Sequence, residues 1–311
     1  MDGRTVVIFT GEFDVTADAV IVELERRHVP VFRCDPGAFP STLVLGARSG
    51  ERWTGHLRTA RRSLDLTDVA CAWWRRPTPM TVSPDVPHSD WVRAEAAAGL
   101  RGVLATLPWL NHPDDIRAAE HKPLQLAMAA QIGLTVPPTL ITNDPAEARE
   151  FAQRHGPIIY KPLTSGLLDD NTVIYASTVD PATIDDSVTV TAHLFQQQVP
   201  KAHELRVTVV DDAILTARIE ALSDKARQDW RADYRNLRYT TDRLPDHVAE
   251  KVRHLMRRLR LRFAALDFVV TPAGEHVFLE ANPNGQWAWI EEETGLPIAA
   301  AIANALEGNN S

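Results

Sequence analysis

The stretch Arg262–Ile290, RFAALDFVVTPAGEHVFLEANPNGQWAWI, decides how the rest of the chain is read. Leu266–Val270 and His276–Glu280 are short β-type runs, and Thr271-Pro272-Ala273-Gly274 between them carries turn chemistry, so the spacing predicts a hairpin. Asp267 then lies inside one strand, while Glu280 and Asn282 leave the end of its partner. Strand residues two apart point to the same side, so Glu280 and Asn282 share a face, and a suitable register adds Asp267 to it. Three hard oxygen donors with no His or Cys among them suit magnesium, which keeps some of its waters and takes further ligands from phosphates. The plainer alternative makes Asp267 a turn cap and Glu280 a solvated strand end. Against it stands the apolar setting of Phe263, Leu266, Phe268, Val269, Phe278 and Leu279, in which a carboxylate is costly unless a cation or a hydrogen bond meets it.

Working outward, 311 residues exceed one ordinary domain and predict two or three lobes. Hydrophobic residues at 44% and charged residues at 24% are ordinary for a globular protein. A net charge of −8 argues against a general nucleic-acid or membrane surface, so an acidic peptide would need local arginine clusters. The two cysteines, Cys34 and Cys71, sit in separate apolar segments and read as reduced, buried thiols of a cytoplasmic protein. The opening residues lack the apolar core of a signal peptide, and no run approaches membrane-spanning length.

Thr5–Thr10 reads as a strand, Asp14–His28 as a helix and Val29–Arg33 as a second strand, a pitch that predicts a parallel α/β lobe. Gly11 alone is no dinucleotide fingerprint. Thr42–Arg48 and Arg52–Thr59 form a hairpin pattern around Ser49-Gly50. Val69–Trp74 is a buried strand ending in Arg75-Arg76-Pro77, at the edge where open α/β sheets bind ligands; solvated arginines at a strand end are the alternative. His88–Leu107 reads as a helix, Asn111-His112-Pro113 as a break and domain boundary, and Ala118–Ile132, containing His121-Lys122, as a second helix closed by Gly133. Lys161 carries an ammonium out of the buried run Pro157–Tyr160, a placement that a phosphate partner would relieve. No GxxxxGK[ST] occurs, which disfavours a P-loop enzyme. Glu204–Asp211 and Ala213–Ala221 alternate as an antiparallel pair, and Leu244–Leu259 is a helix with Val248, Val252, Leu255 and Leu259 as its buried stripe. Pro297–Leu306 reads as a packing helix.

The pattern D-F-V-V-x-x-x-G-x-x-x-F-L-E-x-N-P-N-G-Q-W, Asp267 to Trp287, resembles the metal-binding end of ATP-grasp ligases. Within them it is most similar to the graspetide (microviridin-type) ribosomal peptide maturases, a likeness continued by Trp289 and Glu291–Glu293. The resemblance covers nearly the whole chain. It implies an ATP-grasp fold of class α/β with α+β lobes: an N-terminal parallel α/β lobe in residues 1–113, a central lobe in 114–195, and a C-terminal lobe in 196–311 carrying the metal site. It places ATP between the last two lobes, its phosphates on Lys122 and Lys161. Adenine would be read by the hinge Phe195–Pro200 at Gln197 and Val199, and the ribose by Glu204. Arg206, Arg218 and Arg231 would spread the charge of the transferring phosphoryl group, with ordinary surface salt bridges as the alternative. A pair of magnesium ions would sit on Asp267, Glu280 and Asn282. The WWRRP run resembles a motif of the maturases' N-terminal lobe, which makes Arg75 and Arg76 candidate substrate contacts. The loop Pro162–Gly166 would close over the phosphates, although it is poorer in glycine than in many relatives.

The implied activity is ATP-dependent macrocyclisation of a ribosomal precursor peptide built of leader and core. Asp or Glu side chains are activated as acyl phosphates and joined to Thr or Ser hydroxyls or Lys amines. A ligase of the same fold adding a free amino acid to a protein or small carboxylate, and an ATP-binding regulatory protein without chemistry, stay open at this level. So does the choice between a monomer and a homodimer.

Overall fold

The computed structural model describes residues 4–164, 172–223 and 236–308. The expected catalytic Arg231 and the Ser165–Asn171 part of the loop after Lys161 lie outside the described residues. At the N-terminus, β1 (Thr5–Thr10), α1 (Val15–Arg26) and β2 (Val31–Cys34) form the expected strand–helix–strand unit. β3 (Val44–Arg48), β4 (Thr54–Arg58) and β5 (Ser63–Asp65) follow as a small antiparallel sheet. β6 (Val69–Arg76) then joins β1 in a parallel sheet of order β2-β1-β6, and α2 (Ser89–Leu104) covers one of its faces through Leu100, Val103 and Leu104.

The helix expected over Ala118–Ile132 is two helices. α3 (Pro113–Ala119) stops at Glu120, and α4 (Lys122–Gln131) starts again with a proline in its first turn. Pro123 lacks an N–H and is tolerated only at a helix start, so the chain breaks just before it and leaves Lys122 at a helix entrance. β7 (Thr139–Thr142), α5 (Pro145–His155), β8 (Ile158–Lys161), β9 (Ser177–Val179) and β10 (His193–Gln197) build an antiparallel sheet of order β7-β10-β8-β9.

The last sheet has the order β13-β12-β11-β14-β15, from β11 (His203–Val210), β12 (Ala213–Ala221), β13 (Leu237–Asp242), β14 (Phe263–Val270) and β15 (His276–Asn282). Alternation divides its residues between two apolar bodies. Leu205, Val207, Leu266 and Phe268 face α6 (Asp246–Leu259), whose stripe Val248, Val252, Leu255 and Leu259 is buried against them as its spacing predicts. The opposite face carries Ala217, Ile219 and Phe263 into a core shared with Ile8 and Trp73 of the first sheet, with Trp287, and with α8 (Ile298–Glu307), which follows α7 (Ala288–Thr294).

Asn111, expected as a loop breaker, is buried and stitches these parts together. Its Nδ2 donates to the Phe263 carbonyl at 2.7 Å, and its Oδ1 accepts from the Arg262 and Phe263 amides at 2.8 and 3.1 Å. A buried carboxamide satisfied on both sides fixes orientation as well as position. Among the described residues no helix is long and apolar enough to cross a membrane.

Candidate active site

β14 and β15 pair so that Asp267 lies opposite Glu280 and Ala265 opposite Asn282. Cross-strand partners share a face, so one ladder brings all three expected donors to the same side. A register shift follows Asp267, whose neighbour Phe268 pairs with Phe278 rather than Leu279. Such a bulge re-aims side chains locally. Here the consecutive residues Leu279 and Glu280 both line one cavity of about 300 Å³, together with Asp267, Asn282, Lys122 and Lys161.

Lys122, at the entrance of α4, approaches Glu280 Oε2 to 3.8 Å with its Nζ. The helix is registered to the strand by Gln125, which sequence reasoning had missed. Its buried carboxamide donates to the Ala281 carbonyl at 2.7 Å and accepts from the Ala281 amide at 2.8 Å, gripping the residue between Glu280 and Asn282. A lone Gln in the apolar stripe Leu124–Ala130 was the available signal, since a buried carboxamide there demands a partner.

A second cavity of about 390 Å³ adjoins the first and shares Lys161, Ala176, Glu204 and Leu279 with it. Gln197, Val199, Ile159 and Val269 complete it, so the expected hinge residues and the expected ribose residue meet the expected phosphate residues in one continuous cleft between the second and third large sheets. Glu204 is held by Lys201 Nζ at 3.0 Å. At the hinge the Gln197 amide already donates to the Pro138 carbonyl at 2.9 Å, and its Nε2 donates to His155 O at 3.2 Å. Gln197 therefore contributes to the cleft wall, with its own N–H committed to the sheet.

The arginines separate. Arg206 faces Asp267 across the β11–β14 ladder and donates to its Oδ1 at 2.8 Å, both groups being buried. It lines neither cavity; it also donates to the Gln286 carbonyl at 2.8 Å and lies 5.7 Å from the Trp289 ring centre. Arg218 does not join this group. The partner of Arg206 on β12 is Ala217, so Arg218 falls on the opposite face and pairs with Glu220 at 2.6 Å.

Arg75, expected as a substrate contact, is only 1% exposed. Residues on β6 alternate, so Arg75 follows Cys71 and Trp73 into the shared core, while Arg76 is exposed. Burial pushes the Arg75 guanidinium down to about 10 against the pull of Asp14, whose Oδ2 lies 3.5 Å from its Nε.

The donor set fits a hard divalent cation: two carboxylates and one carboxamide on one face, flanked by lysines that would pair with phosphates. Among the described residues no group of three His, Cys, Asp or Glu is arranged for a metal.

Residues 5–120 match the family model described as the MvdD pre-ATP grasp domain. The whole chain is similar in structure to an RiPP-associated ATP-grasp ligase from Chryseobacterium gregarium, solved with ADP and a leader and core peptide, at a TM-score of 0.90 and 25% identity over 99% of this chain and 98% of that one. It is similar to the macrocyclase MdnC from Microcystis aeruginosa MRC, solved with precursor peptide MdnA, at 0.86 and 30% over 98% and 99%. Macrocyclase MdnB from the same source follows at 0.78 and 29% over 97% and 99%. A comparison with curated proteins found no match.

Proposed function

The chain belongs to the peptide-macrocyclising ATP-grasp ligases, the graspetide maturases, and from that premise we propose that it closes side-chain links in a ribosomal precursor peptide of leader and core at the expense of ATP. One observation carries the reading: Lys122, Lys161, Glu204, Asp267, Glu280 and Asn282, which span 161 positions of sequence from first to last, line one cleft between two sheets. We assign the lobes to residues 1–113, 114–195 and 196–311, with the cleft between the last two. The reaction is assigned to the cytoplasm, where ATP is abundant and the cysteines stay reduced; Cys34 and Cys71 are both free and buried.

In this reading adenine lies in the hinge cavity against Leu279 and Val269, beside Val199 and Gln197. Glu204 accepts hydrogen bonds from the ribose hydroxyls. Lys161, on the boundary of the two cavities, and Lys122, in the inner one, pair with phosphate oxygens. Asp267, Glu280 and Asn282 would hold magnesium, which supplies neutralisation of phosphate charge when bound. Arg206 donates to Asp267 and so aims its carboxylate, acting through it.

An Asp or Glu carboxylate of the peptide attacks the γ-phosphorus. A new C–O–P linkage forms as the bond from phosphorus to the β–γ bridging oxygen breaks, and ADP leaves. A Thr or Ser hydroxyl, or a Lys amine, of the same peptide then attacks the acyl carbon, loses its proton and expels inorganic phosphate, leaving an ester or an amide. The acyl phosphate must be kept from water, for which a walled cleft between two sheets is suited.

The test is incubation of the protein with ATP, magnesium and a precursor peptide rich in Thr and Asp/Glu. Loss of one water mass per link, with one ADP released each time, is expected. Gain in mass from an added free amino acid would replace macrocyclisation by ligation to an external acceptor, and absence of ADP release with every acceptor would leave a nucleotide-binding protein without chemistry.

A further inference from the structure

Two guanidinium groups that line neither cavity grip the segment Asn282–Trp287 from different sheets. From the C-terminal sheet, Arg206 donates to the Gln286 carbonyl at 2.8 Å. From the N-terminal sheet, Arg75 Nη1 donates to the Asn284 carbonyl. Gly285 lies between the two held carbonyls. A Cβ placed there would stand 2.4 Å from Ala265 Cβ and 3.0 Å from Arg206 Nη2, so the segment is pressed onto the sheet as only glycine allows. Within the segment the Asn284 amide donates to Asn282 Oδ1 at 2.9 Å. The residue whose carbonyl Arg75 holds is therefore also the residue whose amide orients the Asn282 carboxamide.

Arg75 is itself held firmly. Its guanidinium lies 5.9 Å from the Trp73 ring centre and beside Asp14, which also accepts from Thr10 Oγ1 at 2.8 Å and caps α1 through the Ala17 amide at 3.2 Å. A guanidinium taken out of water is expensive, and an apolar side chain of similar length would fill the same core space without that cost. What an apolar chain cannot do is donate to a carbonyl contributed by another sheet.

We propose that Arg75 is a positioning residue: by holding the Asn284 carbonyl it sets the Asn282 carboxamide, so the N-terminal lobe contributes to divalent-ion binding without touching ion, nucleotide or peptide. The inference rests on the reading of Asp267, Glu280 and Asn282 as the magnesium set.

The experiment compares the full chain with Arg75→Met, Arg75→Lys and Asp14→Asn. Amide exchange is followed in the ligand-free protein, ADP binding is measured with chelator, and Mn²⁺ is titrated by electron paramagnetic resonance at saturating ADP. Arg75→Met is expected to weaken Mn²⁺ about 10–100-fold, the scale for losing a group that orients a metal ligand. It should speed exchange at Asn284–Gln286 and leave metal-free ADP binding unchanged. Arg75→Lys, which keeps a donor, should recover part of the loss. Asp14→Asn retains a side chain that caps a helix and should shift the titration in the same direction by less; it decides the matter by the same criteria if Arg75→Met does not fold. A folded Arg75→Met protein with wild-type Mn²⁺ titration and wild-type exchange at Asn284–Gln286 overturns the inference. Failure of the wild-type protein to take Mn²⁺ with ADP overturns the metal reading itself, and the inference with it.

Discussion

At the hairpin end of the cleft, Asp267, Glu280, Asn282 and Lys122 present side-chain atoms. At the hinge end, Gln197, Gln198 and Val199 form the wall, and the amides of Gln197 and Gln198 are tied to the Pro138 and Pro157 carbonyls at 2.9 and 2.8 Å. The first end depends on which residues are there, because charge and ligand type cannot be exchanged. The second depends on backbone shape and apolar lining, which many sequences can supply. Substitutions should therefore be severe at one end and mild at the other, and the contrast fails if they are not.

The largest effect belongs to Glu280→Ala. Turnover, followed as ADP release with peptide and magnesium, should fall at least about a hundredfold, the scale of removing one group that stabilises transition-state charge. Glu280 is half-buried and Lys122 Nζ stands 3.8 Å from its Oε2, a long ion-pair distance, so the thermal midpoint should hold. Wild-type turnover would break the comparison at its strong end.

Next comes a pair of arginines. Arg206→Ala breaks a buried ion pair with Asp267 by removing one partner, which costs about 3–5 kcal/mol in urea unfolding. Arg218→Ala removes a half-buried pair with Glu220, less enclosed than the Arg206–Asp267 pair, and should cost less, about 1 kcal/mol. For the same reason Asp267→Asn, which still accepts from Arg206, probes the metal role more cleanly than Asp267→Ala. Equal costs for the two arginines would overturn their assignment to opposite faces of the sheet.

Lys161→Ala should weaken nucleotide binding roughly tenfold or more by calorimetry, as expected for one hydrogen bond to a charged group. Gln197→Ala at the hinge should change the same constant by less than about threefold, since its cleft contribution is main chain and wall. A hinge substitution as damaging as the lysine substitution would erase the distinction between the ends.

The smallest effect is on the thiols, which neither end uses. Burial pushes Cys34 up to about 12 and Cys71 to about 11, from 9.0 in the free chain. Both should resist alkylation at neutral pH until the protein unfolds, with turnover unchanged. Above pH 9.0 the unfolded chain releases these protons while the folded chain retains them, so stability should decline as pH rises toward 11.

Several elements were legible from residues alone. The hairpin at Leu266–Glu280 announced itself by alternation and turn chemistry, and the stripe of α6 by its 3.6-residue period. Lys161 stood out because a cation at the end of a buried strand needs an explanation. The break before Lys122 was not seen, although Pro123 was in plain view, because apolar spacing continues through it and period outweighed the proline. Arg75 and Arg218 were read by type. Their roles depended on which face of a strand each occupies, and a register shift of one residue reverses that.

By itself the chain's order of residues determined which groups are available: hard oxygen donors after a hairpin, two lysines at element ends, a glycine flanked by asparagine and glutamine. Those are local properties, set by residue chemistry and by periods of two and 3.6. Tertiary structure alone decided that Arg206 meets Asp267 while Arg218 turns away, that a bulge brings Leu279 and Glu280 to one cavity, and that Arg75 reaches Asn284 across 209 positions of sequence. The reason is physical: burial and pairing depend on strand register and on which surfaces share a core, and both are settled only when distant segments exclude water together.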